Sequence, residues 1–352
     1  NTTGTENVAV GKGALDGCTT ASGNTAIGTD TMGNDITGSY NTAVGYNAML
    51  TATGVTGTTA IGNQSLDALT TGDNNTAVGA GSMGLTTTGH SNVAVGWNAL
   101  TANTDGPGNV AIGISALVSN TTGSNNVAIG IRALDANTTA GGNVAIGHDT
   151  LGVNTTGESN VACGYNSMDA HQSGNNNAAW GAHSLGASTT GANNTGIGFA
   201  AGGSVTSGAN NLFLGNQAGN DFVQVTTESN HIVLGNGSTS NAYIQVDWTV
   251  QSDERDKMNF DEVPHGLSFI NDLQPVKFDF KKSRENATPH GTTKYGFKAQ
   301  EILALEGDNP VIVDNSDTNS LKMTGSFLLP VLVNAIQELS AEVKELKAKL
   351  KD

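Results

Sequence analysis

Eight consecutive residues gather a hydroxyl, an amine, a guanidinium and three carboxylates: Ser252-Asp253-Glu254-Arg255-Asp256-Lys257-Met258-Asn259. A serine hydroxyl becomes a nucleophile when a base stands beside it, and a lysine amine can be that base only when neutral. Burial and the nearby cation Arg255 would favour the neutral amine, while Asp253 and Asp256 would oppose it. Ser252 and Lys257 are five residues apart. That spacing is poor for one helix face, so the pair has to meet through a turn or across chains. Asp253 and Arg255 have a second reading of equal weight, as a capped, ion-paired helix start, because Asp is a good N-cap. Asn259 is a weaker candidate for orienting the pair. A lone Ser…Lys pair means nothing by itself; its surroundings decide.

Elsewhere the chemistry thins out. His90, His148, His171 and His183 fall at different places in a repeat and lack metal-ligand spacing, so they read as solvated loop histidines. No metal or cofactor is expected. The scattered acidic residues show no marked pair for sugar hydrolysis. Cys18 and Cys163 lie many repeats apart at different repeat positions, which excludes a disulfide framework and a Cys-type zinc site. Tyr46, Trp97 and Tyr165 each follow a repeat glycine by one residue, and Trp180 is a further aromatic of the array. They could form an exposed column that stacks on sugars. The plainer and favoured reading is a tolerant position, because single exposed aromatics are common.

The stretch at 252–259 divides two compositions. Residues 1–251 hold two basic residues, Lys12 and Arg132, against 14 acidic ones, a net −12 within the chain total of −16. An acidic array poor in aromatics is a weak nucleic-acid binder, since that affinity comes from Lys and Arg neutralising phosphates. No apolar run approaches ~18 residues, so no membrane insertion is expected. No signal peptide is visible and Asn1 is not an initiator, so the chain reads as a fragment of something longer that begins inside a repeat.

Glycine recurs every 17 residues from Gly11 to Gly215, through 13 repeats. Four residues before it stands Asn, with Thr58 the one exception. Two before is Ala in eleven repeats, then Gly196 and Phe213; one before is apolar; four after is Leu or Met, from Leu15 to Leu185. The unit N-x-A-φ-G alternates, with Asn, Ala and Gly on one face and the β-branched residues on the other. One unit per coil predicts a β-solenoid rising about 4.8 Å per coil, a rod of roughly 60 Å. The glycine is expected in a conformation closed to other residues. The Asn is expected to bond to backbone at a corner and to stack on its counterpart in the next coil. With so little apolar content per coil, lateral association of chains as a trimer is expected.

After Gly215 the period breaks, and Ile232-Val233-Leu234-Gly235 comes 20 residues later. Residues 242–250 alternate as a strand leading to Ser252. Beyond it, Leu267 to Leu273 suggest a short helix and Val276–Phe280 a strand. Tyr295 to Ile302 turn from a glycine into a helix, and Val311–Val313 read as another strand. Leu329, Leu332, Ile336, Leu339, Val343, Leu346 and Leu350 form a heptad seam. Its residue types lean towards a dimer, whereas the fibre argument requires three strands. The fold class is therefore mainly β: a trimeric 17-residue-repeat β-solenoid or β-roll shaft (1–220), transition strands (221–251), and a small α+β domain ending in a coiled-coil helix (252–352).

The N-x-A-I/V-G pattern over about residues 1–220 resembles the head repeats of trimeric autotransporter adhesins and the shafts of phage tail fibres. Three blocks, S-D-E-R-D-K-M-N at 252–259, Y-G-F-K-A-Q-E-I at 295–302 and L-L-P-V-L-V-N-A-I-Q-E-L at 328–339, resemble the intramolecular chaperone auto-processing domain of phage tailspikes, endosialidases and tail fibres. That resemblance implies a domain that trimerises through its helices, brings three chains into register and then cuts itself off. It places the cut at Gln251–Ser252, with Ser252 as nucleophile, Lys257 as general base and Asp253, Arg255 and Asn259 in support. It further implies a homotrimer in a virion tail fibre, made in the host cytoplasm, meeting a host cell-surface glycan or protein receptor. The competing reading is a bacterial trimeric surface adhesin fragment with a retained, non-cleaving cap, which would require a membrane-anchoring barrel. An ice-binding solenoid would require a Thr ladder at one fixed repeat position.

Overall fold

Three-residue strands form where the repeat places a small residue, Ala in eleven coils and Gly196 in the twelfth, between two β-branched or apolar residues, and Phe213 holds that place in the thirteenth. In the computed structural model these run as β1 (Val8–Val10) through β13 (Leu212–Leu214), one per coil, followed by β14 (Ile232–Leu234). Residues 2–34, 36–220, 224–239, 252–281, 287–308, 310–316, 318 and 321–350 are described. The fourteen strands make one parallel sheet in sequence order. Each pairs with the next in a 17-residue register, as Ala9↔Ala26 and Ala26↔Ala43 do, and only the last step, Phe213↔Val233, spans 20. The chain divides into two units, Asn1–Gly237 and Ser238–Asp352.

Within the first unit the small face points inward. Ala26 through Ala179 line the interior with no exposure, beside the column of Leu and Met four places after each glycine. Where Phe213 replaces the alanine, glycine replaces the leucine: a Cβ on Gly202 or Gly219 would come within 2.6 Å of the Phe213 ring. Volume lost at one inner position is thus returned at the other, which close packing requires. The repeat glycine is fixed by sterics. Gly96 has φ 136°, and a Cβ there would meet the carbonyl oxygen of Gly113 at 2.5 Å. The leucine column also takes positive φ, 55° at Leu100 and 51° at Leu117. This costs about 1–2 kcal/mol per residue. Leu100 N–H donates to Ala116 at 2.9 Å, so the turn is held by the next coil.

Buried Asn residues carry the corner. The Asn41 backbone N–H donates to Asn24 Oδ1 at 2.9 Å, and Asn41 Nδ2 donates to Val55 O at 2.6 Å. The exception is accommodated: Thr58 N–H donates to Asn41 Oδ1 at 3.0 Å, and the Thr58 hydroxyl accepts from Asn75 N–H at 3.3 Å. The expected stack is a ladder of bonds from side chain to backbone, joined at Asn126 and Asn177 by side-chain bonds to Asn109 and Asn160 one coil back, at 3.2 and 3.0 Å. It closes the interior within one chain and leaves the Val/Ile positions facing out, with Ile27, Ile61, Ile112 and Ile146 each about 40% exposed (39, 40, 38 and 38%).

The second unit is α+β. A 3₁₀ turn (Glu254–Asp256) precedes α1 (Leu267–Asp272). The hairpin β15 (Val276–Lys281) and β16 (Pro289–Gly296) is antiparallel, with a register shift between Phe278 and Phe280. Then come α2 (Ala299–Glu306), the short pair β17 (Val313–Asp314) and β18 (Lys322–Met323), and α3 (Leu328–Lys349). Phe269, Ile302, Ile312, Val313, Leu328 and Val331 form the core. Two expectations shift. Tyr295 and Gly296 complete β16 by pairing with Lys277 and Val276, so the helix starts only at Ala299. Val311 and Ile312 are not strand: the Glu306 carboxylate accepts from the N–H groups of Val311, Ile312 and Val313 at 2.8, 2.7 and 3.0 Å and curls the segment. The strand expected at 242–250 lies outside the described residues.

Pro330 is tolerated at the start of α3 because first-turn N–H groups have no intrahelical partner. One face of α3 (Leu328, Val331, Ala335) packs into its own domain. The heptad seam stays in solvent, with Leu329 and Ile336 each 62% exposed. Among the described residues no helix is long and apolar enough to cross a membrane.

Candidate functional site

Ser252 and Lys257 meet within one chain. Asp253 begins the 3₁₀ turn as its N-cap, accepting from Arg255 N–H at 2.9 Å, and the turn closes with Lys257 N–H on Glu254 O at 3.1 Å. That reversal lets a five-residue separation work. Lys257 Nζ lies 2.6 Å from Ser252 Oγ. Arg255 is occupied elsewhere, with Nε 3.0 Å from Asp253 Oδ1 and Nη2 2.6 Å from Asp253 Oδ2. The Arg255 guanidinium, and next the Arg255 backbone N–H, hold the Asp253 carboxyl below its usual range. Asp253 and Arg255 therefore form the capped, ion-paired helix start, and the Arg255 charge is matched by Asp253. Asn259 stands two residues beyond Lys257 with φ 56°; among the described residues its side chain makes no hydrogen bond to the pair. Gln251 lies outside the described residues.

The pair is open. Ser252 and Lys257 are both exposed, and the large apolar neighbours Met258 and Phe260 are 80% and 68% exposed. A Ser–Lys pair acts as nucleophile and base only where burial favours the neutral amine. The single chain holds the two groups in contact and leaves both exposed.

Within the C-terminal unit, polar residues of α3 clamp α1 and the segment before it. Leu267 N–H donates to Glu338 Oε2 at 2.6 Å, capping α1, and Asn334 Nδ2 donates to His265 O at 2.9 Å. Glu338 is thus a fastener for α1 rather than only a charge on a coiled-coil flank. Sequence periodicity does not distinguish the two.

Residues 252–309 match the family model of a peptidase family described as chaperone of endosialidase. The match opens on Ser252 and takes in the blocks at 252–259 and 295–302. No curated protein and no solved structure matches the chain. A β-solenoid of about thirteen turns followed by a chaperone domain of this kind fits a protein of the tail-fibre or endosialidase type.

One histidine of the array, His171, departs from expectation. His171 is fully buried: Nε2 lies 2.7 Å from Gly174 O, which can only accept, so Nε2 carries the proton. Desolvation lowers its pKa below the ordinary 6.5. It ends a second Asn ladder, in which Asn120, Asn137 and Asn154 each donate to the Asn one coil back at 2.9, 2.8 and 3.2 Å. The pattern Asn103, Asn120, Asn137, Asn154, His171 is a 17-residue series and was the available signal. Among the described residues no group of His, Cys, Asp and Glu could hold a metal ion. Tyr46, Trp97 and Tyr165 are exposed at 51, 57 and 53%, yet stand three and four coils apart and form no column among themselves.

Proposed function

We propose that this chain is part of a trimeric viral tail fibre used in host recognition, and that its C-terminal domain aligns three chains and then cuts the bond between Gln251 and Ser252. Ser252 is the nucleophile and Lys257 the base. The observation that carries this reading is the 2.6 Å contact between Ser252 Oγ and Lys257 Nζ at the first residue of the chaperone family match.

Two uncovered surfaces support assembly as the missing step. The exposed seam of α3 has the heptad spacing of a helix that packs on copies of itself. The outward Val/Ile row of the solenoid is a long exposed apolar stripe of the kind that marks an interaction surface. The order of events follows from register. Each repeat can pair with the wrong neighbour, so a seed at one end has to set the alignment before the shafts associate. Covering the pair on assembly favours the neutral amine, so cutting follows alignment. Lys257 takes the Ser252 hydroxyl proton as Oγ attacks the Gln251 carbonyl carbon. It then passes the proton to the leaving Ser252 nitrogen, and water releases the acyl group from Oγ. The reaction turns over once.

Intact masses of freshly expressed wild type, Ser252→Ala and Lys257→Ala test the cut. Two wild-type fragments meeting at Gln251–Ser252, with both variants whole, are expected. An uncut wild type would leave a retained trimerisation cap and remove the protease.

A further inference from the structure

Past each strand, the residues one and two places after the repeat glycine lie in the turn of the coil. Over the coils of Gly147, Gly164, Gly181 and Gly198 they bring four rings into one ladder. His148 lies 5.7 Å from Tyr165, Tyr165 5.5 Å from His183, and His183 5.9 Å from Phe199, between ring centroids. The last two steps are edge-to-face, both at 81°. Tyr165 and Phe199 stay about half exposed, at 53% and 50%. The rings fill no interior space, because the Ala, Leu/Met and Asn columns already do so.

A fixed polar cluster ends the ladder. Arg132 grips Asp149 in a fork, Nε to Oδ1 and Nη2 to Oδ2 both at 2.6 Å, and His148 Nδ1 lies 2.8 Å from Asp149 Oδ2 without the geometry of a hydrogen bond. Side chains of both Arg132 and Asp149 remain partly open to solvent. Rings that offer apolar faces beside planar hydrogen-bonding groups are the chemistry that recognises sugars: C–H faces stack and hydroxyls bond. Charge narrows the class. Residues 1–251 carry two basic residues against 14 acidic ones, and the one cation of the cluster is already paired. Polyanions are repelled from such a surface. Geometry narrows it further, because the rings follow one another at 5.5 to 5.9 Å between centroids, on the scale of one unit in an extended sugar chain.

We propose that this lane binds a neutral linear glycan, with His148, Tyr165, His183 and Phe199 as the stacking rail and Arg132 and Asp149 as the polar anchor. The assignment rests on the fibre reading for its biological role and is independent of the cut at Ser252. The test is calorimetric titration of the assembled protein, as expressed from the full chain, with soluble β-1,4-linked N-acetylglucosamine oligomers and with neutral β-glucan oligomers, using dextran sulfate as the anionic control. Saturable binding of at least one neutral oligomer is expected, with Kd raised at least tenfold by Tyr165→Ala with Phe199→Ala, raised similarly by Arg132→Ala, and unmoved by Tyr46→Ala. Absence of binding across the neutral panel, unchanged binding in the ring variant, or preference for dextran sulfate would overturn it. A lower assembly mass in the ring variant would overturn it too, by making the ladder a contact between chains. Assembly mass and cleavage are read on the same preparations. In the wild type, failure of assembly counts against the fibre reading and failure of cleavage removes only the protease; neither touches the lane.

Discussion

Lys257 reaches Ser252 because Asp253 shapes the turn between them. Asp253→Ala removes the cap on the Arg255 N–H and the guanidinium's partner. Cutting should slow with both reactive groups intact, as read from the rate of fragment appearance. An unchanged rate would mean that the turn holds without its cap. At His171 the prediction concerns pH. Its folded-state pKa lies below the unfolded 6.5, so its contribution to stability is present above about pH 6.5 and is lost as pH falls towards the folded value. His171→Asn would extend the ladder and give a donor to Asn154 Oδ1, which is buried without a partner. Thermal melts between pH 7.5 and 5 should show a smaller acid loss in the variant and, at neutral pH, no destabilisation beyond about 1 kcal/mol. An equal acid loss in both proteins would place the effect elsewhere. The contents of the stretch at 252–259 were legible in the sequence. The meeting of its two side chains was not, because it depends on a 3₁₀ reversal that a five-residue spacing does not announce.

The coil is the element on which the shaft's stability turns. Gly96→Ala would drive a Cβ against the next coil's carbonyl at a φ closed to alanine. Such strain costs of order 1–3 kcal/mol before the clash is counted, so a melting or denaturant midpoint well below wild type is expected. Phe213→Ala should cost about 3–5 kcal/mol, because Gly202 and Gly219 leave nothing to collapse into the space; the same denaturation curve checks it. The 17-residue period exposed the strand, the inward alanine and the special glycine to a reader of the sequence, since each is a steric demand on one residue type. The left-handed leucines were hidden. Leucine has no preference for that conformation and adopts it only because the neighbouring coil supplies a carbonyl and a buried site. In the C-terminal unit the heptad seam was legible. The clamp made by Asn334 and Glu338 was not, since polar residues on a helix read alike whether they fasten another element or face water.

At the scale of the whole molecule, the proposed account makes cleavage depend on assembly. Ile336→Asp with Leu339→Asp puts charge into the exposed seam. Both the assembled mass and cleavage should be lost, because the variant cannot cover the pair; a monomer that still cuts would break the link. The measurement that tests this link most directly is the fraction of chain cut during cell-free synthesis at a series of chain concentrations, followed by intact mass. The account predicts that the fragments ending at Gln251 and beginning at Ser252 increase with chain concentration and appear together with the trimer. A cut fraction that does not change with concentration, or trimers that remain whole at every concentration, would contradict it.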